Sequence, residues 1–126
     1  MNQAATALLA MTCFLLCALG QAQAQGQIAV GFVNKTDTPL AVSAYSVVNG
    51  RKTPTTVLVV PKNGAPAFET RVPANAIRYY TIHDYTQPNR ILLGPVPRLL
   101  TGNMNFRIVP SPLDPKKVLI EPFTAP

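Results

Sequence analysis

The sequence has no tryptophan, a single histidine and only two cysteines, Cys13 and Cys17. Both cysteines lie in an N-terminal apolar run that has the features of an export signal, and the rest of the chain contains none. If the signal is removed, the mature protein can form no disulfide, no thiolate metal site and no cysteine nucleophile. Its fold must then be stabilised by a hydrophobic core alone.

Charge is also scarce, because charged residues make up 13% of the chain, about half of the usual ~25%. The net charge is +6, and all 11 Lys and Arg residues lie between Lys35 and Lys117. They are scattered rather than clustered in a basic arm, which disfavours nucleic acid as a partner. The excess favours solubility and a weak attraction to anionic surfaces.

Long proline-free stretches are missing beyond the N-terminal segment. All 13 prolines stand at or after Pro39, at intervals that exclude a helix of more than about four turns. This distribution favours short strands joined by turns.

The N-terminal segment predicts export. Residues 4–20 are apolar, and Ala22 and Ala24 follow with the spacing of a signal-peptidase site, which accepts only small side chains. Cleavage after Ala24 leaves residues 25–126 as one domain, with an ordered core expected over 28–121. We expect this domain in the periplasm or outside the cell, with no transmembrane segment.

Two other fates of this segment stay open. The first 12 residues lack Lys and Arg, so the run could be retained as a membrane anchor, although it is slightly shorter than the ~20 residues that span a bilayer. A lipid-modified cysteine would need a small residue before it, whereas Leu16 and Thr12 precede the two cysteines.

Apolar and polar residues alternate over several short segments of the mature chain, which is typical of half-buried strands. In the fourth segment, Phe68, Thr70 and Val72 alternate with Glu69 and Arg71. The third is almost entirely apolar, which predicts a central strand. The eight predicted strands are 28–33, 40–48, 55–60, 67–72, 76–83, 90–93, 104–109 and 118–120.

Seven to eight short strands separated by turn residues indicate an all-β fold, and we expect a small antiparallel β-sandwich of immunoglobulin-like size. A closed barrel is the alternative. The prolines at 95 and 97 exclude regular sheet over 94–97 and predict an irregular edge or a segment that crosses between two sheets. A crossing segment favours the sandwich. Residues 84–89 are polar and contain Pro88, which predicts a loop.

No catalytic site is evident. His83 is the only candidate general base, and none of Ser43, Ser46 and Ser111 lies in a nucleophile elbow. No glycine-rich phosphate loop is present either. We therefore predict a protein that is not an enzyme and that uses no cofactor.

A metal site is also not expected. One histidine and five scattered acidic residues do not have the ligand spacing of zinc or calcium sites. Asp37 and Asp84 could hold a weakly bound calcium ion only if their loops met in space.

The densest cluster of aromatic and basic residues lies between positions 78 and 90. Alternation along a strand must send Tyr79 and Tyr80 to opposite faces, so at least one of them belongs to the core. We predict a contact surface on loops 34–39 and 84–90, and its proposed residues are Arg78, Tyr80, Tyr85 and Arg90.

Asn34-Lys35-Thr36 also matches the N-glycosylation acceptor pattern, in a predicted surface turn where the site could be used. Whether it is used depends on the host, which the sequence does not identify.

These observations lead to three functional hypotheses. The first is an exported module that binds a protein or has a structural role in the envelope. The second is binding of an anionic polymer or surface, such as a cell-wall glycan, an acidic lipid or, less favoured, a nucleic acid. It requires basic side chains to share a face, and the candidates are Arg78, Arg90, Arg98 and Arg107. The third is an enzyme that uses His83. The partner and the oligomeric state stay open.

Overall fold

The structure is a computed structural model that describes residues 26–124. The predicted signal peptide and its two cysteines lie outside these residues. Within them the chain forms no helix, and its strands are β1 Gln27–Asn34, β2 Leu40–Val48, β3 Arg51–Lys52, β4 Thr56–Val60, β5 Ala67–Pro73, β6 Ala76–Asp84, β7 Gln87–Leu100, β8 Met104–Pro110 and β9 Val118–Pro122.

The strands form two sheets, as the sequence predicts. The four-stranded sheet has the order β5-β1-β8-β9; the five-stranded sheet has the order β3-β2-β6-β7, and β4 also pairs with β2. The expectation of a fully antiparallel fold is wrong at one place, because β1 and β8 run parallel, from Val30 opposite Met104 to Asn34 opposite Ile108. Parallel neighbours need a long crossover, and here much of that connection forms the other sheet.

The hydrophobic core lies between the two sheets. Phe32 of β1 and Phe106 of β8 stack with ring centroids 5.7 Å apart, and Tyr80 of β6 meets both rings edge-on at 5.3 and 6.1 Å. Each of these side chains comes from an inward-facing position of its strand and is fully buried. This aromatic contact between sheets confirms the predicted sandwich architecture at the level of two packed β-sheets.

The apolar strand β4 lies at an edge, which corrects its predicted central position. Within residues 26–124 it pairs only with β2, and Val57 is 65% exposed. An uninterrupted apolar run is equally compatible with a buried strand and with an edge strand whose outer face is apolar.

Strand β5 also differs from its predicted pattern, because Glu69 faces the core and Phe68 faces solvent. Ile28 pairs with Val72 but Val30 pairs with Glu69, so β5 carries one extra residue in a bulge. Arg71 adopts a positive φ of 58° there. The extra residue lets Glu69 and Val72 face inward together, although they are three positions apart.

Strand β7 is a single edge strand. Of the two forms predicted for residues 94–97, the structure shows the irregular edge, and the crossing between sheets is wrong. The pairing of β7 with β6 is irregular, because its register shifts near Gly94. An edge strand tolerates Pro95 and Pro97 because one side of its backbone needs no ladder partner. The predicted loop 84–89 is likewise shorter than expected, because β6 ends at Asp84 and β7 begins at Gln87.

A buried polar network joins the two sheets. Arg78 of β6, only 4% exposed, donates from Nη2 to Glu69 Oε1 of β5 at 2.7 Å, and its Nε donates to the same oxygen at 3.2 Å. Tyr80 donates its hydroxyl to Glu69 Oε2 at 2.8 Å. Ser46 Oγ and Thr56 Oγ1 accept the remaining guanidinium bonds at 2.9 and 3.0 Å.

The network keeps the Tyr80 hydroxyl protonated. Burial, followed by the neighbouring Glu69 carboxylate, raises the pKa of the Tyr80 hydroxyl far above its ordinary value. Tyr80 therefore stays a neutral donor, and each oxygen of Glu69 has its own partner. A charge pair satisfied in this way is tolerated in a core, whereas a single unpaired charge is not.

Glu69→Gln should therefore lower the free energy of unfolding by about 3–5 kcal/mol, because it leaves the Arg78 charge buried without a counter-ion. Urea denaturation followed by circular dichroism measures this loss. The double variant Glu69→Leu with Arg78→Met should recover most of it. Arg107→Ala, which breaks an exposed pair with Glu121, is the control and should cost less than about 1 kcal/mol; equal losses for Glu69→Gln and this control would contradict the expectation.

Candidate functional site

Two of the four predicted contact residues are not on the surface. Arg78 belongs to the core network, and Tyr80 is fully buried between the sheets. The alternation of β6 sends both side chains inward, and Glu69 supplies the counter-charge that holds Arg78 there. The prediction that Tyr79 and Tyr80 face opposite sides is confirmed.

The other two, Tyr85 and Arg90, are exposed at one end of the sandwich. The predicted contact loops meet at this end, because the Tyr85 backbone N–H donates to the Pro39 carbonyl at 3.0 Å. The tight connection between β6 and β7 brings Arg90 Nη1 to 3.6 Å from Asp84 Oδ2. Their role as contact residues stays a prediction.

Both loops are built on the same local motif. Asn34 Oδ1 accepts from the backbone N–H and the hydroxyl of Thr36, at 2.8 and 2.6 Å. Asp84 Oδ1 accepts from the same two groups of Thr86, at 2.9 and 2.7 Å. A short side chain that hydrogen-bonds to the backbone two residues further along stabilises a turn. The first residues of each loop therefore stabilise the start of that loop.

The expected surface position of the Asn34 glycosylation acceptor is wrong. Asn34 is only 2% exposed, and its Nδ2 donates to the carbonyls of Thr38 and Val60 at 2.7 and 3.4 Å. The amide nitrogen that would carry a glycan is therefore enclosed in the folded domain. Within the Asn-x-Thr pattern, Asn34 and Thr36 bond to each other and stabilise the turn.

The same end of the sandwich holds a cavity of about 110 Å³, and its lining includes Asp37, Asp84, Arg90, Lys116 and Lys117. The loops of the two aspartates do meet, as a calcium site would require. Three cationic side chains share the lining, which disfavours a bound cation. Over residues 26–124, no cluster of three or more potential metal ligands is present.

His83 lies on the opposite face of β6 from Asp84. Its Nδ1 is 3.1 Å from the Pro88 carbonyl, and with Ser43 it lines a shallow depression of about 340 Å³. The adjacent Asp84 carboxylate points to the other side of the strand and is bonded to Thr86. The geometry does not aim an acid at His83 in the way that a catalytic triad requires.

The largest feature that the sequence reasoning missed is the outer face of the five-stranded sheet. We call it the outer apolar face, defined by the outward residues of the paired strands. Its rows across the sheet are Val59, Ala41, His83 and Ile91; Val57, Ser43 and Thr81; Tyr45, Tyr79 and Pro97; and Lys52, Val47, Ile77 and Leu99.

An aromatic platform lies on this face. The rings of Tyr45 and Tyr79 stack with centroids 5.2 Å apart and planes 19° from parallel. Lys52 Nζ lies 4.2 Å from the centroid of the Tyr45 ring, within range of a cation–π attraction. The two tyrosines and the lysine thus form a preorganised group at the surface.

The outer apolar face carries no carboxylate at its paired positions. Its polar residues there are Lys52, Ser43, Thr81 and His83. The outer face of the four-stranded sheet is different, because Arg107 and Glu121 form an ion pair on it at 2.8 Å. The outer apolar face therefore combines apolar surface with one cationic side chain, Lys52, and no carboxylate at its paired positions.

The four arginines whose convergence would define a basic face are dispersed. Arg78 is in the core, Arg90 lies near the Asp84 turn, and Arg107 is on the four-stranded sheet. Arg98 reaches from β7 towards the Ile120 carbonyl of β9, at 3.5 Å. A basic face made of these four residues does not exist.

A different basic region lies at the end of the sandwich where residue 26 stands. The Ala74 backbone N–H donates to the Gly26 carbonyl at 2.6 Å, and the loops 49–55, 73–75 and 101–103 that form this end contain no acidic residue. Arg51, Lys52 and Arg71 are all exposed there.

The sequence matches no known protein-family model and no curated protein. Across residues 26–124, there is also no helix with the length and apolar character needed to cross a bilayer.

The Asp84 turn gives a pH-dependent prediction. The Thr86 hydroxyl bond lowers the pKa of Asp84 below its ordinary value of 3.8; burial opposes this effect, and the Thr86 backbone N–H and Arg90 add to it. A carboxyl whose folded pKa is lowered stabilises the fold fully above the unfolded pKa, and this contribution is lost as pH falls through the folded value.

Asp84→Ala should accordingly lower the free energy of unfolding by about 1.5–3 kcal/mol at pH 7, and this difference from wild type should shrink as pH falls below about 4. Denaturant titrations at pH 7 and at pH 3 measure both effects. The exposed Asp37→Ala variant is the control, with an expected change within about 0.5 kcal/mol at pH 7. A difference for Asp84→Ala that persists unchanged at pH 3 would argue against a charged carboxylate as the stabilising species.

Proposed function

We propose that the mature domain is an exported, non-enzymatic binding module that docks onto a folded protein partner through the outer apolar face. The observation that carries this proposal is that a sheet whose inner side already covers the core is also apolar on its outer side. Val57, Ile77 and Leu99 are large apolar side chains exposed there. Monomeric proteins rarely expose contiguous apolar patches of more than a few hundred Å².

The size of the face fits a small specific interface. Four strands spaced about 4.8 Å apart, with about seven residues each at 3.3 Å, give a flat footprint of roughly 450 Å². The accessible area of side chains standing on that footprint is larger. A standard interface buries about 800 Å² on each partner, so the outer apolar face together with its rim is of suitable size.

The aromatic platform is the expected centre of the contact. Tyrosines contribute a large apolar area at little entropic cost and are enriched among the residues that dominate binding energy. Tyr45 and Tyr79 are already stacked, so they lose little freedom on binding. Because Lys52 is the charged residue beside them, the partner should present an apolar patch with a carboxylate at its rim.

The predicted contact residue Tyr85 adjoins this face. It lines the depression beside His83, together with Ala41, Val57 and Pro88. Arg90 lies further round the same end, where its pairing with Asp84 leaves its side chain half exposed. Contacts from these two residues would extend a docking interface beyond the sheet.

The test is photocrosslinking in cells that export the protein, with a benzoyl-phenylalanine replacing Tyr79 or, as the control position, Arg107. We expect a discrete adduct with one exported protein at position 79 and none at 107. The binding of that purified partner should then weaken at least about tenfold for Ile77→Lys, and less than twofold for Arg107→Ala. Equal adducts at both positions, or none at position 79, would refute the proposal.

A second candidate function is attachment to an anionic surface through the basic end. The supporting observation is that the exposed Arg51, Lys52 and Arg71 share an end whose loops contain no acidic residue. Each basic side chain near an anionic membrane contributes about 1 kcal/mol, and salt screens the attraction.

Arg51→Gln combined with Arg71→Gln should thus reduce binding to phosphatidylglycerol-containing vesicles by roughly 25-fold at low salt, from about fivefold per residue. Vesicle cosedimentation measures the binding, and neutral phosphatidylcholine vesicles give the background. Lys62→Gln with Lys116→Gln removes the same charge outside the basic end and should have a much smaller effect. Retention of wild-type protein on anionic vesicles at high salt would contradict an electrostatic attachment.

A further inference from the structure

The exposed edges of the two sheets differ in how they are protected. A sheet edge presents unpaired backbone N–H and C=O groups to any extended chain, and proteins block it with proline, charge, bulges or inward-pointing charged residues. The edges over residues 26–124 are β7 on one side of the five-stranded sheet, β3 and β4 on its other side, and β5 and β9 on the four-stranded sheet.

The edges formed by β7, β3 and β5 are blocked. Strand β7 contains Pro88, Pro95 and Pro97, which remove backbone donors. Strand β3 consists of two exposed cationic residues, Arg51 and Lys52. Strand β5 has the bulge at Arg71, ends in Pro73, and points the charged Glu69 inward.

The edge of β9 is also protected against an added strand. The Arg98 guanidinium approaches the Ile120 carbonyl at 3.5 Å from the neighbouring sheet. The strand contains the charged Glu121 and ends in Pro122. An added strand would have to displace Arg98 and accommodate this charge.

Strand β4 has none of these protections. Its sequence, Thr56-Val57-Leu58-Val59-Val60, contains no proline, glycine or charge. One side of its backbone pairs with β2 over all five residues, from Thr56 opposite Ala44 to Val60 opposite Leu40. The other side has no paired strand within the described residues, and Val57 and Val59 are exposed beside it.

We propose that a second copy of this chain adds to the β4 edge, antiparallel to β4, with Leu58 facing Leu58 of the second copy. Pro54 and Pro61 bracket the strand, so this is the register in which all five residues can pair. Val57 then lies beside Val59 of the second copy, and the reverse, as a twofold interface requires.

Symmetry and the absence of charged residues within the ladder favour a second copy over an unrelated extended peptide. The paired residues are uncharged, so no like charges meet within the ladder, and the two valine pairs are reciprocal. At each end Lys62 stands opposite the uncharged Pro54 of the second copy. Since each chain carries +6 overall, long-range repulsion opposes association, and salt should strengthen it.

The small contact area of the proposed interface indicates a weak dimer. A five-residue ladder is about 17 Å long, and a two-layer sandwich edge about 20 Å deep gives roughly 350 Å² per copy, or about 700 Å² in total. This lies below the ~1,200 Å² typical of stable complexes. The dimer should accordingly be reversible and concentration-dependent, in the micromolar range or weaker.

A groove of about 440 Å³ runs beside β4, towards β5, and its lining includes Val57, Phe68, Glu69 and Arg78. A second copy on the β4 edge would cover the mouth of this groove and shield the buried ion pair from water. It would also join two outer apolar faces into one continuous surface.

Sedimentation velocity of the exported protein over a concentration series tests the proposal, with Val57→Lys as the main variant. Its matched control is Leu99→Lys, because Val57 and Leu99 are 65% and 62% exposed on the same face but at opposite edges. We expect a wild-type dimer that strengthens at least about threefold between 50 and 500 mM NaCl. Val57→Lys should be monomeric, and Leu99→Lys should still dimerise.

Val59→Lys serves as a second variant, and circular dichroism verifies that each variant is folded. Monomeric wild type at all concentrations would overturn the proposal. A dimer that survives both Val57→Lys and Val59→Lys would also overturn it, as would one that Leu99→Lys abolishes. None of these three results decides whether another protein docks at Tyr79, which the crosslinks at that position test separately.

Cysteine crosslinking tests the register, because residues 25–126 contain no cysteine. Directly opposed residues of antiparallel strands have Cα atoms about 4.5–5.5 Å apart, within the range that a disulfide bridges. A mixture of Val57→Cys and Val59→Cys proteins should form a covalent heterodimer on mild oxidation, and Val57→Cys alone should form much less. Equal crosslinking in both samples would refute the proposed register.

Discussion

The ion pair between Glu69 and Arg78 is the constraint on which the other features of this domain depend. It joins an edge strand of one sheet to an inner strand of the other, and it holds the Tyr80 hydroxyl in the same network. A buried carboxylate requires the bulge at Arg71, because without the extra residue Glu69 and Val72 could not both face inward. The bulge in turn sends Phe68 outward over Gly31, where a Cβ would come within 2.9 Å of its ring.

Much of the fold can be predicted from the sequence, because strand positions follow from alternating side chains and turn residues. The segment 40–48 is found without change as β2, and Phe106 and Ile108 face the core as their alternation indicates. The errors arise where tertiary structure overrides a local pattern. The bulge in β5 inverts the expected faces, an apolar run cannot distinguish an edge from a centre in β4, and the parallel pairing of β1 with β8 depends on the route of the whole chain.

Less of the candidate site can be predicted, since residue type alone does not show which side chains a partner in another strand will bury. An arginine in a strand is normally a surface residue, and the partner that buries Arg78 lies nine positions away in another sheet. The Asn34 motif was similarly misleading, because its amide is used by two backbone carbonyls. A usable signal for the outer apolar face did exist: β2 and β6 place large apolar residues such as Val47, Ile77 and Tyr79 at the phase opposite to the core residues.

When both sides of a sheet are apolar, the side-chain pattern does not specify which side faces the core. A one-residue slip in register, or an inversion of the sheet, then exchanges one apolar surface for another. In the five-stranded sheet, the core side carries Val42 and Ile82. The outer side carries Tyr45, Val47 and Ile77, which are also largely apolar. Arg78 resolves this ambiguity, since its guanidinium meets Glu69 only when its own side faces the second sheet. One charged side chain thereby distinguishes the correctly assembled sandwich from an inside-out arrangement that would also bury apolar side chains.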